Sequence, residues 1–116
     1  MKLRRRRGVV LAIAATVVGC GAAPPAEIEP LTGRWWWMGK EFEAAWDAGT
    51  RELLVYPLAN RAEVWRLTPA GADRWRCHSG TNDGEVLTVR RARSGAVNAL
   101  DIATFVFTRD PWSGQA

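Results

Sequence analysis

The chain has 116 residues, with sixteen Lys and Arg against twelve Asp and Glu, a net charge of +4 and a pI near 9.8. Five of those cations, and no acid, fall in residues 1–19, so the other 97 residues carry eleven cations against twelve acids and are net −1. This excludes a basic nucleic-acid surface; 97 residues leave no room for a second domain, and two cysteines are too few for a disulfide framework.

The chain starts with Lys2-Leu3-Arg4-Arg5-Arg6-Arg7, followed by an apolar run from Gly8 to Val18 and then Gly19-Cys20. A basic start before a short apolar run is the pattern of an export signal. The run is too short for a ~30 Å hydrocarbon core, which needs about 20 residues. Val17-Val18-Gly19-Cys20 resembles a bacterial lipobox, so residues 1–19 read as a lipoprotein signal and Cys20 as the acylated new N-terminus. The alternative is an ordinary signal cut after Ala22-Ala23. Lipidation is preferred because it explains why a Cys closes the apolar run behind a Gly. Two or more acyl chains give stable membrane attachment. Residues 20–31 read as a Pro/Ala tether, extended through Pro30.

From Thr32 onward the period is two rather than 3.6. Gly33-Arg34-Trp35-Trp36-Trp37 puts Trp35 and Trp37 on one face and Trp36 on the other. Glu41 to Asp47 reads as a strand with Phe42, Ala44 and Trp46 inward, and it fits a helix less well. Asp47 to Thr50 is a turn into a strand from Glu52 to Tyr56, which Pro57 stops. Glu63 to Leu67 alternates again, with Trp65 and Leu67 inward. Thr68 to Asp73 is a turn, and Arg74 to His78 a strand with Trp75 and Cys77 inward. Ser79 to Gly84 turns into the strand Glu85 to Arg91, with Leu87 and Val89 inward. Ala92 to Gly95 closes a hairpin, and Val97 to Arg109 is one bent strand or two short ones. Short strands every 8–12 residues predict an all-β fold, a small antiparallel meander closed or nearly closed into a barrel of seven or eight strands over residues 32–112, with a tail at 113–116. All seven tryptophans lie beyond residue 19, and each buries on the order of 200 Å².

Chemistry is sparse. Ser79, Ser94 and Ser113 are the serines, and none has Lys three residues on, so the Ser-x-x-Lys nucleophile motif is missing. A triad of Ser79, His78 and Asp83 fails on alternation, because adjacent strand residues point to opposite faces. Cys77-His78 has no second pair at zinc spacing, and no metal or other cofactor is expected. Cys77 reads as an inert core thiol. Asp101, between Leu100 and Ile102, is either a solvent-facing acid or a ligand group. The tryptophan run is the strongest functional feature: if one face is core, at least one of Trp35, Trp36 and Trp37 meets solvent or a partner, and Trp is enriched in binding hot spots.

Gly33-Arg34-Trp35-Trp36-Trp37, Ser79-Gly80 followed by Gly84-Glu85-Val86-Leu87-Thr88-Val89, and Leu100 to Arg109 together resemble the small β domain found C-terminal to serine hydrolases of the β-lactamase class in high-GC actinobacteria. The similarity spans Leu31 to Trp112. Fourteen Arg against two Lys suit such a genome. The resemblance implies a lipocalin-like barrel without established chemistry. Relatives often carry an aromatic-His pair where this chain has Thr81-Asn82. The resulting expectation is a non-catalytic β domain, lipid-anchored on the extracytoplasmic face of the cell membrane. It would act as an accessory to an envelope protein or, alternatively, hold a small apolar or glycan ligand; a hydrolase is a distant third.

Overall fold

The computed structural model of the protein describes residues 23–111. Cys20, its signal and Trp112 lie outside the described residues. Eight strands run antiparallel in chain order: β1 Gly33–Trp37, β2 Lys40–Asp47, β3 Glu52–Pro57, β4 Trp65–Gly71, β5 Arg74–Cys77, β6 Val86–Arg91, β7 Val97–Ile102 and β8 Phe105–Phe107. Each pairs with the next. The sheet then curls until Trp36 of β1 meets Thr108 just past β8, where the two exchange backbone hydrogen bonds of 2.8 and 3.0 Å. The protein is all-β, and the meander forms a nearly closed barrel.

Alternation sets what lies inside. Trp35 faces Phe42 across β1 and β2, Leu53 faces Leu67 across β3 and β4, and Leu100 faces Phe107 across β7 and β8. An eight-stranded barrel is just wide enough for its own side chains, and aromatic rings occupy this one. Phe42, Trp65, Phe105 and Phe107 form a connected set with ring centroids 4.7–5.9 Å apart. Trp35, Trp65 and Phe107 are fully buried. Ion pairs such as Arg34–Glu43 and Arg90–Asp101 decorate the outer wall.

Four findings refine the sequence reading. Val97 to Arg109 is two strands, because the chain reverses at Ala103, where φ is +54°. The strand expected from Glu63 begins at Trp65 and runs on to Gly71 through Pro69, so the turn shrinks to Ala72-Asp73. Proline is tolerated there because β4 has left β3 after Leu67 and a bulge follows at Pro69–Gly71. The loop after Cys77 contains a short 3-10 turn, Gly80–Asn82. Finally, the tether does not stay extended to Pro30. The chain turns at Pro25, whose carbonyl accepts from the amides of Ile28 and Glu29, and a 3-10 turn follows at Glu29–Leu31. Ile28 and Leu31 are buried in the core. Their apolar side chains plug one end of the barrel, and burying each contributes roughly 1.5–3 kcal/mol, enough to order a Pro-rich stretch.

That plugged, cap end also carries the β2–β3, β4–β5 and β6–β7 turns. The opposite, distal end carries the β1–β2 and β7–β8 turns and the longer loops after β3 and β5.

Candidate functional site

Backbone parity divides the tryptophan run into three environments. Trp35 points inward and is completely buried, its indole nitrogen donating to the Leu31 carbonyl at 2.9 Å, so it offers nothing to a partner. Trp36 points outward from the wall and is half-buried. Trp37 points inward at the distal rim, half-buried, with its ring centroid 4.5 Å from that of Phe105. Beside it Met38 is 56% exposed, the most exposed large apolar side chain among the described residues. Met38 and Gly39 both have positive φ, +50° and +77°, the backbone of a tight two-residue hairpin turn. That turn pushes the methionine off the end of the barrel.

The distal end carries unpaired charges of both signs, with Lys40 at the β1–β2 turn and Arg61 in the loop after β3 among the cations. Glu63, in the loop after β3, and Asp83 and Glu85, in the loop after β5, have no ionic partner among the described residues. The rim is therefore an apolar patch of Trp37, Met38 and Phe105 in the company of unpaired charges of both signs.

The other sequence candidates are engaged internally. Asp101 stands on the outer face of β7, and its Oδ2 accepts from Arg90 Nε at 2.8 Å and from the same guanidinium's Nη2. Ser79 Oγ accepts from the Arg66 amide at 2.9 Å and donates to the Val64 carbonyl at 3.1 Å. His78 Nε2 lies 2.8 Å from Glu52 Oε2. Ser79 and His78 thus serve different partners, and the triad with Asp83 is not assembled. Cys77 is buried with its Sγ toward the Ser79 carbonyl at 3.2 Å, and burial pushes its thiol up from the ordinary value. Among the described residues no group of three or more His, Cys, Asp or Glu is arranged to hold a metal ion. No helix among them is long and apolar enough to cross a membrane.

Two arrangements escaped the sequence reading. On the outer wall Glu52, 8% exposed, accepts from Arg66 Nη1 at 2.9 Å and pairs with His78, while Asp47 Oδ2 lies 3.8 Å from Arg66 Nη1. Burial pushes the Glu52 carboxyl up, but Thr50, Arg66 and His78 more than offset that and hold it below the ordinary value. Glu52 on β3, Arg66 on β4 and His78 just past β5 are all outward by parity, so alternation plus strand register would have found the cluster. At the cap end a cleft of about 240 Å³ lies between the N-terminal cap and the β4–β5 hairpin. Its floor is Ile28, Leu31, Trp75 and Val89, and charged side chains form its rim. No local motif announces it, because it joins segments distant in the chain.

Residues 24–109 match a family described as Domain of unknown function (DUF7586). No curated protein and no solved structure matches the chain.

Proposed function

We propose that this chain, which belongs to the DUF7586 family, is a lipid-anchored, non-catalytic interaction domain of the cell envelope that presents its distal rim to a protein partner. The observation that carries this reading is Met38, 56% exposed on a turn that projects it beyond Trp37 and Phe105. Methionine and aromatic residues are enriched in the buried centres of interfaces, where charge is depleted. Unpaired charges of both signs at the same end, Glu63, Asp83 and Glu85 with Lys40 and Arg61, suit a partner with an apolar knob inside a polar surround. A ligand inside the barrel is the weaker reading, since Trp35, Phe42, Trp65 and Phe107 fill the interior. The resemblance to a β domain that accompanies serine hydrolases supports an accessory role. The absence of a Ser-x-x-Lys motif supports a non-catalytic one.

Anchoring at Cys20 leaves only Gly21 to Pro24 between the lipid and the turn at Pro25. Five residues reach at most about 18 Å, which would set the cap end toward the bilayer and the distal rim outward. Native mass spectrometry of the protein gently extracted from its own membranes tests both parts. The expected species is a diacylated chain beginning at Cys20 with a stoichiometric protein companion, lost in Met38→Glu. An unacylated chain beginning beyond Cys20 overturns the anchor. A companion retained equally by Met38→Glu and Trp37→Ala overturns the rim.

A further inference from the structure

We propose that the cleft at the cap end binds a small zwitterion with an apolar side chain, the chemistry of a free apolar amino acid. The cleft combines an apolar floor with two opposite charges left over on its rim. Asp73 and Arg91 satisfy each other through two hydrogen bonds of 2.9 Å, and Arg91 Nη1 is further spent on the Gly95 carbonyl at 2.9 Å. Arg74 and Glu27 line the same cleft and are exposed. Neither has an ionic partner among the described residues. A carboxylate suits the two-pronged Arg74 guanidinium, and an ammonium suits Glu27. The side chain between them rests on Ile28, Leu31, Trp75 and Val89, all buried apolar surfaces that can accept it without moving polar groups.

Size and charge narrow the ligand. About 240 Å³ is below the ~300–1,000 Å³ of sites for drug-sized molecules, which matches a molecule of amino-acid size. A simple anion would meet Glu27, a simple cation would meet Arg74, and a purely apolar molecule would leave both without a partner. This site is at the opposite end from the proposed interaction rim and does not depend on anchoring. Its walls come from the N-terminal cap (Glu27, Ile28, Leu31) and from the β4–β5 hairpin (Arg74, Trp75), so an occupant bridges the two and stabilises the closed barrel end.

The test is an NMR titration of the full chain in detergent with three probes: L-leucine, N-acetyl-L-leucine and L-leucinamide. L-leucine is expected to shift the Trp75 indole and the Ile28 and Leu31 methyl signals, while the two blocked probes bind about tenfold more weakly, the loss of one charged contact each. Arg74→Gln and Glu27→Gln should each weaken L-leucine about tenfold and remove the preference over the probe that lacks the matching charge. Arg51→Gln, in the β2–β3 turn and outside the cleft lining, should change nothing. Circular dichroism establishes that each variant is folded, and Arg74→Lys, which keeps the charge, should retain part of the binding. Absence of shifts up to ~10 mM, where even weak small-ligand affinities register, overturns the proposal. So does equal binding of the acetylated probe, or L-leucine binding that ignores both substitutions.

Discussion

The guanidinium carbon of Arg109 lies 3.7 Å from the centre of the Trp35 ring. The same guanidinium donates to the carbonyls of Pro30 and Thr32 at 2.9 Å and to that of Arg34. One side chain from beyond the last strand therefore holds the N-terminal cap, the first strand and a fully buried indole together. Burial lowers its pKa from the ordinary value, partly countered by the charge of Glu43; the group stays a cation, as arginine does. Arg109→Ala should lower unfolding free energy by about 2–4 kcal/mol, the sum of a covered ring and several charged hydrogen bonds. Arg109→Lys should recover less than half of it, since one ammonium cannot stack and also reach three carbonyls. Urea unfolding followed by tryptophan emission measures both.

Gly80 sits against Trp65. Its φ is +75°, and a Cβ there would lie 2.9 Å from Trp65 Cδ1. Gly80→Ala combines left-handed strain with overpacking of a buried ring and should cost about 2–4 kcal/mol. The expected signature in thermal melts is a lower midpoint together with an altered near-UV signal from Trp65. An unchanged melt would mean that the loop after β5 is free to lift off the ring.

Met38 holds a left-handed conformation that asparagine adopts more readily. Met38→Asn should therefore raise stability by roughly 0.5–1 kcal/mol while weakening retention of the proposed companion. Opposite signs in the two assays are the prediction. A gain in both would show that methionine is not kept there for binding.

Acid should weaken the fold through three carboxylates. Thr50 amide and hydroxyl bonds hold Asp47 below the ordinary range, Arg91 does so for Asp73, and the Thr50–Arg66–His78 surroundings outweigh burial for Glu52. A depressed folded pKa means stability that is fully present above the unfolded value and lost as pH falls through the folded one. Unfolding free energy is expected to be level from neutrality to about pH 5 and to decline below ~4, the ordinary carboxylate range. Glu52→Gln combined with Asp73→Asn should flatten that decline, which denaturant titrations across pH 2.5–7 (a range about the carboxylate values) would measure.

Alternation alone revealed most of the barrel. Phe42, Ala44 and Trp46, then Leu87 and Val89, lie inward because a two-residue period leaves a strand only two faces. What stayed hidden depends on register or on distance along the chain. Pro69 reads locally as a strand breaker and becomes admissible only once β3 has ended. Ile28 and Leu31 look like isolated apolar residues in a spacer until the barrel end they fill is known. Arg109 reads as one more surface cation, because its contacts are more than seventy residues away. The tryptophan run was legible as a division between faces, but which member reached the rim depended on where β1 stopped.

Cys77 has a practical consequence. It is the free cysteine of the described fold, wholly buried, with burial holding its thiol in the unreactive protonated form. Acylation would already block Cys20. A thiol reagent added to the native protein would then react only in molecules whose barrel has opened around β5. The chain would carry its own clock for opening, readable by mass without any introduced label, and its rate would report how often the fold exposes its interior under working conditions.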